Sequence, residues 1–182
     1  MLLSWNPGGG CKRLAHVLEA LGYHVACIQE AWRSQLQDID SQKWSWMLQC
    51  QQFVAARLPS QVQFHHGEDK PGKIRWAVFT VHFEPNRVGQ RRLGVLSLHL
   101  NNVHAKKTRA GHEEVGRVLD AARALCEVDV VCGDLNMARW NGEAKWHDGT
   151  LEELESRQYV PIADYAEECC FIAIASRLAQ AH

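Results

Sequence analysis

Between residues 109 and 132 a helix pattern runs straight into a strand pattern, and that excludes folds built from helices alone or strands alone. Val115, Val118, Leu119, Ala122 and Leu125 recur at helical spacing with charged residues on the remaining face, which predicts an amphipathic helix over 109–126. Val128 to Cys132 follows as an apolar run of strand length. The run breaks at Gly133 and presents Asp134 and Asn136 on either side of Leu135. In an extended segment Asp134 and Asn136 face one side and Leu135 the other. The spacing aims two oxygen-bearing side chains into one space and anchors them from behind.

The rest of the chain repeats this intermixing. Leu2 to Trp5 reads as a short apolar strand that stops at Asn6, before the breaker "PGGG". Lys12 to Leu21 is helical by period, with Leu14, Val17, Leu18 and Leu21 in one stripe and Gly22 suited to the C′ position. "YHVACIQ", 23–29, is a buried strand that ends at Glu30. Residues 31–63, with Trp32, Trp44 and Trp46, read as strands with irregular connections, and "HHGEDKPGK", 65–73, as a loop by composition. "IRWAVFTVHF", 74–83, is a strand, and 84–90 a hairpin connection. In "RLGVLSLHLNN" Leu96, Leu98 and Leu100 point one way, and Ser97, His99 and Asn101 the other. After Trp140 the chain is polar and loop-like, with a short helix in "LEELES" and a last strand in "CCFIAIA", 169–175. The class is α/β or α+β with a mixed sheet, and residues 1–182 are expected to form one domain.

Charge and cysteine content narrow the setting. Twenty Lys and Arg nearly balance 21 Asp and Glu, so no global field draws the chain to nucleic acid or an anionic membrane. A nucleic-acid partner would have to use local basic segments, of which "RVGQRR", 87–92, and "HAKKTR", 104–109, are the candidates. No apolar run approaches the ~20 residues of a membrane span. "MLLSWN" lacks the length and basic start of a signal peptide, so the expected location is cytoplasmic or nuclear. The seven cysteines are odd in number, and several lie in apolar patterns, which fits buried thiols in a reducing compartment. With no CxxC and a poorly chelating Cys169–Cys170 pair, the cysteines do not suggest zinc.

Three apolar strands end in residues that can bind a hard cation or move a proton: Asn6, Glu30, and Asp134 with Asn136. His99 adds an imidazole near the end of a fourth. Carboxylates with amide oxygens suit magnesium or manganese. A cation, an oriented water and a proton relay are together what phosphoester cleavage requires.

In their joint order, "SWN", "IQE", "LSLHL", a helix and "VVCGDLN" resemble the endonuclease/exonuclease/phosphatase superfamily, over residues 2 to about 140. Its members include deoxyribonuclease I, the abasic-site and retroelement endonucleases, inositol polyphosphate phosphatases and neutral sphingomyelinases. The resemblance implies a four-layer α/β sandwich, two packed mixed sheets flanked by helices. It implies Asn6 beside the metal, Glu30 as the main carboxylate for Mg2+ or Mn2+, and His99 near the scissile phosphate. Asp134 would orient the attacking water and Asn136 would contact phosphate. Asp164 or Glu168 would stand in for a later acidic residue, and Arg139, Trp140, Lys106 and Lys107 are candidate phosphate contacts. The superfamily closes on Ser-Asp-His, whereas this chain ends "SRLAQAH", with His182 after Ala181. The C-terminal part is therefore expected to be missing or partly lost, with slow turnover. The expected function is Mg-dependent hydrolysis of phosphodiester bonds in nucleic acid. The alternative is a catalytically degenerate member that keeps the fold as a binding module.

Overall fold

Alternating side chains on adjacent strands give this chain two sheets, each with one face turned to the other sheet and one face turned to a helix. The computed structural model describes residues 2–7, 14–20, 22–70, 74–83, 91–100, 108–135, 153–161 and 171–176. Its elements are β1 (Leu2–Trp5), α1 (Leu14–Ala20), β2 (Val25–Gln29), β3 (Trp44–Gln49), β4 (Gln52–Arg57), β5 (Gln61–Glu68), β6 (Arg75–His82) and β7 (Arg92–His99). They continue with α2 (Thr108–Arg123), β8 (Val130–Asp134), β9 (Tyr159–Pro161) and β10 (Phe171–Ser176). One sheet has the order β1-β2-β4-β3, the other β5-β6-β7-β8-β10-β9. Both are mixed: β1 and β2 run parallel, as do β7 and β8, and the remaining pairs are antiparallel.

Three apolar clusters separate the layers. Val25, Cys27, Val54 and Ala56 of the four-stranded sheet meet Ala77, Phe79, Val81, Val95, Val130 and Cys132 of the six-stranded sheet. Leu14 and Leu18 of α1 cover the outer face of the first sheet against Ala26, Ile28, Phe53 and Ala55. Val115, Val118, Leu119 and Ala122 of α2 cover the outer face of the second against Leu96, Leu98, Val131 and Leu135. The architecture is a four-layer α/β sandwich, as the sequence predicts. Among the described residues no helix is long and apolar enough to cross a membrane.

Some local expectations need correction. Residues 65–68 are not loop but the end of β5, which pairs with β6 through a bulge between Phe64 and His66. As an edge strand β5 leaves polar side chains in water, and the bulge breaks its alternation. Helix α2 stops at Arg123, and Leu125 lies exposed beyond its buried stripe. The three-residue strand β9 was not predicted. It is held by Tyr159, whose hydroxyl donates to the Val128 carbonyl at 2.7 Å inside the outer core. Gly22 has φ +63°, as the C′ position requires. Residues 84–90 lie outside the described set, but β6 and β7 pair antiparallel on either side of them.

Candidate active site

Registers of the strands place residues of six strands at matching levels between the sheets. At one level stand Leu2, Val25, Ala56, Phe79, Val95 and Val130. Two residues along each strand the level becomes Ser4, Cys27, Val54, Ala77, Ser97 and Cys132. A further step brings Gln29 opposite Gln52, and His99 between Arg75 and Asp134, with Asn6 just past β1. The inter-sheet space thus passes from wholly apolar to wholly polar within about 14 Å.

Polar contacts at that end cross from one sheet to the other. Asn6 Nδ2 donates to Asp134 Oδ2 at 2.7 Å. His99 Nδ1 lies 3.3 Å from Glu30 Oε1. His99 and Asp134 are register partners on the parallel pair β7–β8, and the Leu100 amide donates to the Asp134 carbonyl at 2.8 Å. Asn6, Glu30, His99 and Asp134 therefore share one end of the inter-sheet space. Asn136, Asp164, Glu168, Arg139, Trp140, Lys106, Lys107 and His182 lie outside the described residues.

Two backbone features set the carboxylates. Gly133 has φ +148°, and a Cβ there would lie 1.8 Å from the Leu98 carbonyl oxygen, so only glycine lets β8 lie this close to β7. Behind Asp134, Leu135 is buried in the outer core. Glu30 has φ +54°, unusual for a residue with a side chain. Regular alternation would send Glu30 to the face opposite Gln29. The left-handed turn lets both consecutive side chains reach β7, Gln29 at Ser97 and Glu30 at His99.

Beneath these residues lies a polar layer that sequence reading missed. Ser97 Oγ donates to Gln52 Oε1 at 2.8 Å and accepts from Gln29 Nε2 at 3.2 Å, and all three residues are fully buried. Gln29 Oε1, Gln52 Nε2 and Ser4 Oγ have no partner there. Ser97 shares the face of His99, as the alternation predicts, and that face is turned inward; a glutamine ending one buried run, Gln29, and one starting another, Gln52, was the available signal. At the register level of Ser97 and Ser4, Cys132 and burial together push the Cys27 thiol well up. Cys27, Cys50, Cys126 and Cys132 are free.

Among the described residues Glu30 and Asp134 bring two carboxylates to the opening, and Arg75 is engaged by Asp69 at 2.8 Å and by Gln51 Oε1 at 2.8 Å. Arg92 pairs with Glu127 at the start of β7, roughly 23 Å from His99 along the strand. Arg92, the described end of the basic segment 87–92, therefore does not flank His99. Among the described residues no group of three or more His, Cys, Asp or Glu side chains could hold a metal ion. Glu30, Asp134 and the Asn6 amide are nonetheless hard oxygen donors. They fit a magnesium ion, which commonly takes one or two carboxylates and keeps most of its water.

Two mixed sheets packed face to face with helices outside are also the architecture of solved endonuclease/exonuclease/phosphatase structures. Solved structures with this fold superpose on the chain over nearly its whole length. The endonuclease domain of TRAS1, a telomere-specific non-LTR retrotransposon, aligns with a TM-score of 0.62 at 11% identity, over 97% of this chain and 84% of that one. An endonuclease/exonuclease/phosphatase family protein from Bacteroides thetaiotaomicron gives 0.61 at 12% identity, over 91% and 72%. TDP2 from Caenorhabditis elegans gives 0.55 at 16% identity, over 96% of this chain and 63% of its own, so the chain spans less than two thirds of that protein. No protein-family profile matches the sequence. No curated protein matches it either. The likeness is one of fold.

Proposed function

We propose that the chain is a magnesium-dependent phosphoesterase that hydrolyses phosphodiester bonds in nucleic acid. The observation that carries this reading is the pair of contacts across the sheets, Asn6 to Asp134 and His99 to Glu30, at the level where the strands turn polar. The shared fold with a retrotransposon endonuclease domain supports the substrate class. In this reading the Asn6 amide fixes the direction of the Asp134 carboxylate, which orients a water and accepts its proton as the oxygen attacks phosphorus and the ester P–O bond breaks, the leaving oxygen taking a proton from solvent. His99, steadied by Glu30, would donate a hydrogen bond to a phosphate oxygen. Asn136, which lies outside the described residues, is assigned a contact to the phosphate. Glu30 and Asn6 would hold magnesium, which when bound offsets charge on the phosphate. The acidity of the opening argues for such a cation, since two carboxylates would otherwise repel the substrate.

Thermal unfolding tests the metal part directly. A ligand bound only by the folded state stabilises it, by about 2.7 kcal/mol at a hundredfold excess over its Kd. Magnesium or manganese is expected to raise the Tm, and Glu30→Gln, which keeps the shape and removes the charge, to flatten that response. Equal responses from the two proteins would place the ion elsewhere.

A further inference from the structure

Trp32 is 51% exposed, the most exposed large apolar side chain among the described residues. It follows Glu30 by two residues, so its Cα lies within about 7.6 Å of the Glu30 Cα. Between them Ala31 is buried in the outer core, and its amide donates to the Gln51 carbonyl at 3.2 Å. Trp32 itself is extended, with φ −120° and ψ 146°. The backbone is held at both ends of the residue. The Trp32 amide donates to Gln35 Oε1 at 2.8 Å, and the Trp32 carbonyl accepts from the Gln35 amide at 2.9 Å. Arg33 beside it is exposed and has no carboxylate partner among the described residues.

About half of the Trp32 side chain is open to water, on a backbone held at both ends. Two residues from Glu30 and next to Arg33 in sequence, it suits a ligand that joins a flat apolar ring to a phosphate. Nucleotides have that form. We infer that Trp32 is a stacking platform for a nucleobase adjoining the scissile phosphate, which makes the substrate an unpaired strand. In a duplex both faces of each base are already stacked, so the indole can engage only a base that has left the helix or never paired. The fixed backbone lowers the ordering cost of that contact. This inference rests on the phosphoester reading and specifies its substrate.

The test compares binding of two fluorescent oligomers of equal length: single-stranded oligothymidylate, and an all-abasic strand with the same phosphates. The wild type is expected to bind the base-bearing strand more tightly. Trp32→Ala should weaken that binding about 5- to 150-fold, the value of one stacked base, and leave the abasic strand unchanged. Trp32→Phe should retain part of the preference. Because the ring is exposed, both variants should keep the wild-type Tm. Equal binding of oligothymidylate by wild type and Trp32→Ala would overturn the inference. So would a Trp32→Ala loss confined to vesicles of phosphatidylserine and phosphatidylcholine, which would make the ring a membrane contact. Asp134→Asn separates the two readings: it should abolish hydrolysis and preserve the base preference. Undiminished hydrolysis by Asp134→Asn would fault the catalytic assignment and leave the platform standing.

Discussion

A methyl group at Gly133 would meet the Leu98 carbonyl oxygen at 1.8 Å and the Leu98 amide nitrogen at 2.9 Å, both backbone atoms in the centre of a sheet. Neither can move without parting β7 from β8, and φ +148° is itself nearly closed to other residues. Gly133→Ala is therefore expected to cost about 2–4 kcal/mol, read as a lower midpoint in urea unfolding. An unchanged midpoint would mean that the two strands have room to spare. The position of Asp134 at the end of a strand, with Leu135 buried behind it, was legible in "VVCGDLN". The direction of Glu30 was not. Strand alternation predicts that Gln29 and Glu30 diverge, and nothing in "IQEAW" announces a left-handed residue that brings them to the same side.

Strands β2, β4 and β7 come from separate parts of the chain, and Ser97 is where they are tied together. Its hydroxyl bridges Gln52 and Gln29 in a layer without solvent. Ser97→Ala would leave a buried carbonyl oxygen and a buried amide without that partner, and each such loss costs about 1–3 kcal/mol. The variant should unfold at lower denaturant with the same m-value, and a neutral result would show that the two glutamines find other partners. Legibility at this scale followed burial. Strands β6, β7 and β8 carry long apolar patterns because they border two cores, helix α2 carries a long stripe that faces one, and the sequence marks them clearly. Strand β5 sits at an edge, so "HHGE" is free to be polar and reads as a loop. Three-residue β9 is too short for any period, and its hold is a single tyrosine hydroxyl. The buried polar layer escaped because alternation tells which side chains share a face, not whether that face meets water or a second sheet.

Neither sheet carries the proposed site alone. Asn6 and Glu30 belong to the four-stranded sheet, His99 and Asp134 to the six-stranded one, and each contact between them spans the gap. The apolar levels deeper in the same gap set the sheet spacing on which those contacts depend. Such a core needs apolar volume in alternating positions, not particular residues. That explains how a fold can be shared at 11–16% identity with the structures that superpose on it. Function cannot be carried across at that distance and must be measured at the site. The most direct measurement is cleavage of a single-stranded oligonucleotide in magnesium and in EDTA, by wild type and Asp134→Asn. Cleavage by the wild type in magnesium alone, with a loss of at least about 100-fold in an Asp134→Asn protein of unchanged circular dichroism, is the predicted result. No magnesium-dependent cleavage by the wild type, or an undiminished rate in Asp134→Asn, would contradict it.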